Sequence, residues 1–164
     1  MDLRRLWRHL ASSPRSMGRA FPDEVLKGIE EATRAAEARA GGEIRFALEH
    51  ALGGSALWRG QPARERAIEV FAQLRLWDTA RNDGVLIYLL WADRDVEIVA
   101  DRGLATVPAA EWERCCRIME QHFRGGRFRE GAIAGLVAVG ELVAAHRGGV
   151  PDAGNELPDA PALL

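Results

Sequence analysis

The chain is poor in the features that most readily betray chemistry. It has two cysteines, and they are adjacent, Cys115 and Cys116. Neighbours on a helix point about 100° apart, a poor geometry for a mutual disulfide, and the C-x-x-C spacing of a metal or redox pair is missing. At least one of the pair therefore reads as a small core residue in a reducing compartment. No apolar run reaches the roughly 18 residues of a membrane-spanning helix. No phosphate-binding G-x-x-x-x-G-K, zinc-ligand spacing or G-x-S-x-G elbow occurs. His9, His50, His122 and His146 are scattered along the chain. The formal net charge is −2, which offers no global field to nucleic acid. The first twenty residues are basic, but they lack a continuous apolar core and a small-residue cleavage site, so they do not read as a secretory signal. The expected location is the cytoplasm.

What is there is ordinary for one soluble domain: 164 residues, 48% hydrophobic and 28% charged, enough for a real core. Residues 1–21 read as a basic amphipathic arm. "LRRLWRHL" sets Leu3, Leu6, Trp7 and Leu10 on one helical face, away from Arg4, Arg5 and Arg8. Residues 22–146 read as the domain. Val25, Leu26, Ile29, Ala32 and Ala36 stripe a first helix that Gly41-Gly42 ends. "EIRFALEH" alternates, as a half-buried strand does. "GGSALWRGQ" reads as a loop, and Pro62 opens a helix that runs to about Leu76. Val85–Trp91 lacks alternation, as a strand covered on both faces would. "VEIVAD" follows after a turn at Asp93-Arg94, predicting a hairpin that pairs Trp91 with Val96, Leu89 with Ile98 and Ile87 with Ala100. Two more helices follow, broken by "RGGR". Residues 147–164 are rich in Gly, Pro and Asp and read as a flexible tail. A strand, helix, strand unit with a right-handed crossover, followed by the hairpin, gives an α/β fold. Its expected form is a three-layer α/β/α sandwich around a small mixed sheet.

This topology sorts charge to two rims. One collects Glu43, Asp78, Asn82, Asp83, Asp101 and, a helical turn on, Glu111, with Arg81 and Arg102 among them. Two carboxylates meeting there need a cation or the arginines between them. Hard oxygen ligands suit Ca²⁺ or Mg²⁺, whereas pairing of Asp101 with Arg81 or Arg102 makes an ordinary surface ion pair. The other rim holds His50, Arg59, Asp93, Arg94, His122, Arg124 and Arg127. Asp93 reads as a turn former. In "FRGGRFREG", Arg124 and Arg127 stand near a helix N-terminus, where an anion or a partner would be met; the same residues also suit a plain inter-helix turn.

The blocks "GGEIRFALE", "RNDGVLIYLLWADRDVEIVADRGL" and "FRGGRFREGAIAGL" resemble the TPM domain, a family named for thylakoid, photosystem-repair and receptor-modulator members. The resemblance covers residues 22–146 and implies the same α/β/α sandwich. It also implies links to acid phosphatase activity, to Ca²⁺ binding and to the assembly or repair of membrane complexes. The chain departs from the family pattern at Asp101, Ala105 and Ala110, where the family favours Gly, Glu and a nearby Asp; Glu111 stands in for the last. No Ser, Cys or His is placed beside the acidic rim as a nucleophile or base. The expected function is therefore a non-enzymatic accessory or interaction domain, with an unknown protein partner or peripheral membrane contact through residues 1–20 and no nucleic acid. The alternative is a weak metal-dependent acid phosphatase acting on phosphate monoesters, its ion held by Asp83 and Asp101.

Overall fold

The computed structural model describes residues 3–147 and 154–164. Strand β2 (Val85–Leu90) has every side chain buried, so both faces of the sheet must be covered. On one face, Phe46, Leu48, Ile87, Leu89, Val96 and Ile98 pack against Ile29, Met119 and Leu136. These belong to α3 (Asp23–Ala40), α6 (Ala109–Arg124) and α7 (Phe128–Arg147). On the other face, Ala47, Leu86, Tyr88 and Val99 meet Leu57, Ala67, Val70 and Phe71, from the short α4 (Gly54–Trp58) and α5 (Ala63–Gln73). This is the expected three-layer α/β/α sandwich. Two further helices, α1 (Leu3–Ala11) and α2 (Pro14–Ala20), precede it. The "GGSALWRGQ" segment thus carries a helical turn where a loop was expected. Helix α5 stops at Gln73, short of Leu76, because Arg75 takes a left-handed φ of 58°.

The sheet order is β3-β2-β1-β4. Strand β1 (Ile44–Glu49) runs parallel to β2, and β3 (Asp95–Ala100) runs antiparallel to it. The hairpin register differs by two residues from the expected one: Leu89 pairs with Val96, Ile87 with Ile98 and Val85 with Ala100. The turn takes four residues, Trp91 to Arg94, with Arg94 N–H donating to Trp91 O at 3.1 Å. A slip of two preserves side-chain parity, so every face assignment survives. Strand β1 is not half-buried. It lies inside the sheet, and Glu49 is buried because its Oε2 accepts from Tyr88 Oη at 2.6 Å and from Arg66 Nε at 2.9 Å.

The third neighbour explains the rest. Within the expected flexible tail, residues 148–153 lie outside the described residues, but residues 154–164 are ordered against the sheet. Ala162–Leu163 form β4, parallel to β1, and Leu164 N–H reaches Leu48 O at 2.9 Å. The segment is held by charge more than by apolar area. The two carboxylate oxygens of Glu43 accept the N–H groups of Glu156 and Leu157 at 3.0 Å each. Arg34 Nε binds Asp159 at 2.9 Å, and Arg45 donates to Pro158 O.

Beneath this segment Glu37 is buried, with Oε1 accepting Ile44 N–H at 2.8 Å. Burial pushes its carboxyl up to about 8; the Ile44 N–H opposes this, while Glu43 and Asp159 add to it. The folded state then holds a proton that the unfolded chain releases above its ordinary value of 4.5. The folded pKa is raised, so stability must fall as pH rises between these two values. Denaturant midpoints should decline from about pH 5 to about pH 8, and Glu37→Gln should flatten that slope. An unchanged slope in the variant would assign the effect to another group.

Candidate functional site

The acidic rim forms where the loop before β2 meets the end of β3. Asp101 N–H donates to Gly84 O at 2.9 Å and Gly103 N–H to Asn82 O at 2.8 Å, tying the two loops together. Gly103 is required there, since a Cβ would fall 2.4 Å from Asn82 O and 2.8 Å from Arg81 O. Asn82 itself is left-handed, at φ 55°. The side chains then part company. Asp83 Oδ2 is 2.6 Å from Arg147 Nη1, with both side chains nearly sealed from water, and Thr79 Oγ1 bonds its Oδ1 at 3.2 Å. Arg102 Nη2 donates to Asn82 Oδ1 at 2.7 Å. Glu111 pairs with Arg114 at 2.6 Å on its own helix. Asp101 Oδ1 accepts the Arg102 backbone N–H at 2.7 Å, capping a 3₁₀ turn (Arg102–Leu104), while its Oδ2 is buried without a partner.

The expected pairing of Asp101 with an arginine side chain is therefore replaced by a backbone cap, and Asp83 takes its guanidinium from the far end of α7. Among the described residues, no three His, Cys, Asp or Glu side chains are grouped so as to hold a metal ion. Asn82, Asp83, Asp101 and Arg102 share the rim; Glu111 is engaged elsewhere.

The opposite rim is organised by Asp93, which does more than form a turn. Arg5 Nε lies 2.8 Å from its Oδ2, Arg8 Nη2 2.9 Å from its Oδ1, and His9 Nε2 3.2 Å from its Oδ2. His9 is buried, and its Nδ1 accepts Leu52 N–H at 3.1 Å, which leaves the proton on Nε2, facing Asp93. Ser12 Oγ reaches His50 O at 3.2 Å, and Trp91 Nε1 donates to Ser16 Oγ at 3.0 Å. Burial pushes the Asp93 carboxyl up, but Arg5 and His9 outweigh it and hold it below its ordinary value.

This latch turns α1 inside out relative to the expected face. Leu6 alone of the expected apolar stripe packs inward. Leu3, Trp7 and Leu10 are 60%, 70% and 66% exposed. The signal for this lay in Arg5 and His9, four residues apart and so on one face, but their acceptor is 80-odd residues distant in sequence. Of the remaining expected site residues, Arg124 is held by Glu120 at 3.0 Å. Arg127 N–H bonds His122 O at 3.0 Å and closes the turn between α6 and α7. Behind them Phe21, Trp91, Phe123 and Phe128 form an aromatic cluster with centroids 5.2 to 6.2 Å apart.

Asp93→Asn should cost on the order of 2 kcal/mol of arm docking, because it leaves the mostly buried Arg5 guanidinium without its counter-charge and loses the more exposed Arg8 pair. Amide exchange across residues 3–20 should accelerate while the β2 amides stay protected. Equal acceleration in both would mean that Asp93 holds the whole domain and not the arm. Because the folded pKa is depressed, the docking is complete at neutral pH and fades only as pH falls through that lowered value.

The TPM domain model matches residues 19–142, from the end of α2 into α7, so α1 and β4 lie outside the matched span. The NMR structure of BA42 protein from the psychrophilic bacterium Bizionia argentinensis is similar, with 27% identity and a TM-score of 0.70 over 86% of this chain and 93% of that one. The N-terminal domain of a protein from P. gingivalis shares the fold at 21% identity and a TM-score of 0.57, over 70% of this chain and 71% of that one. No curated protein matches the chain significantly. With residues 19–142 accounted for, the chain belongs to the TPM domain family.

Proposed function

We propose that the protein is a non-enzymatic accessory domain that docks on an anionic membrane surface through its N-terminal arm. The observation that carries this reading is the inverted helix α1. A helix that directs Arg5 and His9 inward and Leu3, Trp7 and Leu10 outward gains nothing from its own core on the apolar side. The latch to Asp93 offsets the exposure and presents the stripe in a fixed orientation. Arg4 and Arg8 flank it. Burying such side chains in the headgroup boundary contributes roughly 1–2 kcal/mol each. Trp is also favoured at that depth. Among the described residues no helix is long and apolar enough to cross a membrane, so the contact proposed is peripheral. Flotation with phosphatidylglycerol vesicles should carry the intact chain upward, and Trp7→Glu should reduce the floated fraction about tenfold. An intact, folded chain that stays at the bottom would remove the membrane reading and leave a protein partner for the stripe.

Divalent-cation binding at the acidic rim is the second reading, favoured by one observation, the buried unpartnered Oδ2 of Asp101. The donor set as it stands does not make a cage. Asp83, Asn82 and Glu111 already have cationic partners, so an ion would have to displace Arg147 or Arg102. Weak hydrolysis of phosphate monoesters, implied by the family resemblance, rests on the same rim. Millimolar Ca²⁺ or Mg²⁺ should then raise the melting temperature, as any ligand of the folded state does, and Asp101→Asn should abolish the rise. A melting temperature indifferent to both ions would end this reading, and with it the reason to assay the same samples on a chromogenic phosphate ester.

A further inference from the structure

Strand β3 is an edge of the sheet among the described residues, since its only strand partner is β2. The bond from Asp101 N–H to Gly84 O sets the alternation of the antiparallel ladder. Residues of that parity, Asp95, Glu97 and Val99, turn their backbone groups toward β2; Val96 and Ile98 turn theirs outward. The outward direction is marked by Arg64, whose guanidinium donates to Ile98 O. The N–H and C=O of Val96 and the N–H of Ile98 have no bond among the described residues.

This edge lies in a half-open cleft. It floors a cavity of about 480 Å³ between α5 and α6, walled by Arg64 on one side and by Trp112, Glu113, Cys116 and Glu120 on the other. The cavity holds four carboxylates, of Asp95, Glu97, Glu113 and Glu120, against the guanidinium groups of Arg64 and Arg117. Glu97 is 3.5 Å from Arg64, Glu113 is 3.4 Å from Arg117, and Glu120 is held from outside by Arg124. The Asp95 carboxylate makes no side-chain hydrogen bond or salt bridge among the described residues. Charges along an exposed edge are a common guard against unwanted pairing. A guard alone gains nothing from a half-buried carboxylate that makes no salt bridge.

We propose that the free edge of β3 is a strand-addition site for an extended segment of a partner protein bearing lysine or arginine side chains. The segment pairs its backbone with the N–H and C=O of Val96 and the N–H of Ile98, as extended ligands do at open sheet edges, and its cations meet Asp95 and the carboxylates of α6. The opposite edge offers a parallel within the chain, because β4 is a two-residue strand joined to β1 and held by flanking charges. The site is on the β3 edge and does not depend on the arm, so it stands or falls separately from membrane docking. Burial, with Glu97, Glu120 and Asp93 adding to it and Arg5 opposing, pushes Asp95 up to about 6. Burial also raises Glu97, against Arg64. Arg64 on α5 and Glu113, Cys116, Arg117 and Glu120 on α6 complete the titratable and charged groups around them. Binding of a cationic strand therefore tightens as pH rises through the value of Asp95.

The test uses the full chain and an acetylated hexapeptide of alternating valine and lysine, with two controls. One control has glutamate for lysine; the other carries N-methyl groups on alternate residues along each edge in turn. The lysine peptide should bind, and the Val96 and Ile98 amides should exchange at least tenfold more slowly in the complex. The glutamate peptide and one of the two N-methylated peptides should fail to bind. Asp95→Asn should weaken the lysine peptide about tenfold while leaving the melting temperature equal or higher, because it removes an unpartnered acid. Overturning results are absence of binding at millimolar peptide, equal binding of both N-methylated forms, or a complex in which the Val96 and Ile98 amides exchange as they do in the free chain.

Discussion

The complete burial of β2 is the constraint from which most of this structure follows. A strand with Val85, Leu86, Ile87, Tyr88, Leu89 and Leu90 all inside requires helices on both faces, and those helices cut its neighbours off from water as well. Polar groups on the neighbours must then be satisfied within the protein. Glu49 is answered by Tyr88 and Arg66, Glu43 by the backbone of residues 156 and 157, and Asp83 by Arg147. The carboxylates at the strand ends are the points at which distant parts of the chain are gathered in.

Asp93 extends the same logic to the N-terminus. Helix α1 has too little apolar area facing inward to dock by hydrophobic burial, and Leu6 is its one inward leucine. Two arginines and a buried histidine converging on one carboxylate supply the attachment instead. Such an attachment is directional, unlike apolar burial, and it fixes which face looks out. Both segments held in this way, α1 and β4, lie outside the span matched by the family. Glu43 and Asp93 of the shared domain bind groups of the two terminal segments, and Arg34 binds the terminal Asp159 in return.

The layers were legible in the sequence because they are written in periodicity. The stripe from Val25 to Ala36, the uninterrupted run from Val85 and the Gly41 stop each reflect local geometry. The hairpin faces were legible as well, although the register was not: the parity of Ile87, Leu89, Val96 and Ile98 is unchanged by a slip of two. What could not be read was any feature decided by a long-range charge. The acidic segment from Asn155 to Asp159 looks disordered by composition, yet it is ordered by Glu43 and Arg34. "LRRLWRHL" looks amphipathic with its leucines inward, and the acceptor that reverses it sits in a turn. Asp93 satisfies the local preference for a turn residue, which conceals its second role.

The same reasoning bears on the acidic rim. A cluster of carboxylates can be neutralised by an ion from solution or by a cation the chain carries. Arg147 is the second kind: it is tethered at the end of α7, is buried with Asp83, and also donates to Gly41 O. A guanidinium in that position neutralises Asp83 at any ion concentration and spans the loop before β1 and the loop before β2, so its removal would leave a buried charge and two loose strand starts. Asp101 is the exception that gives the rim its remaining polarity. One oxygen caps the turn at Arg102 and the other is sealed in without a partner, an arrangement that costs stability and that the neighbouring ion pairs do not repair.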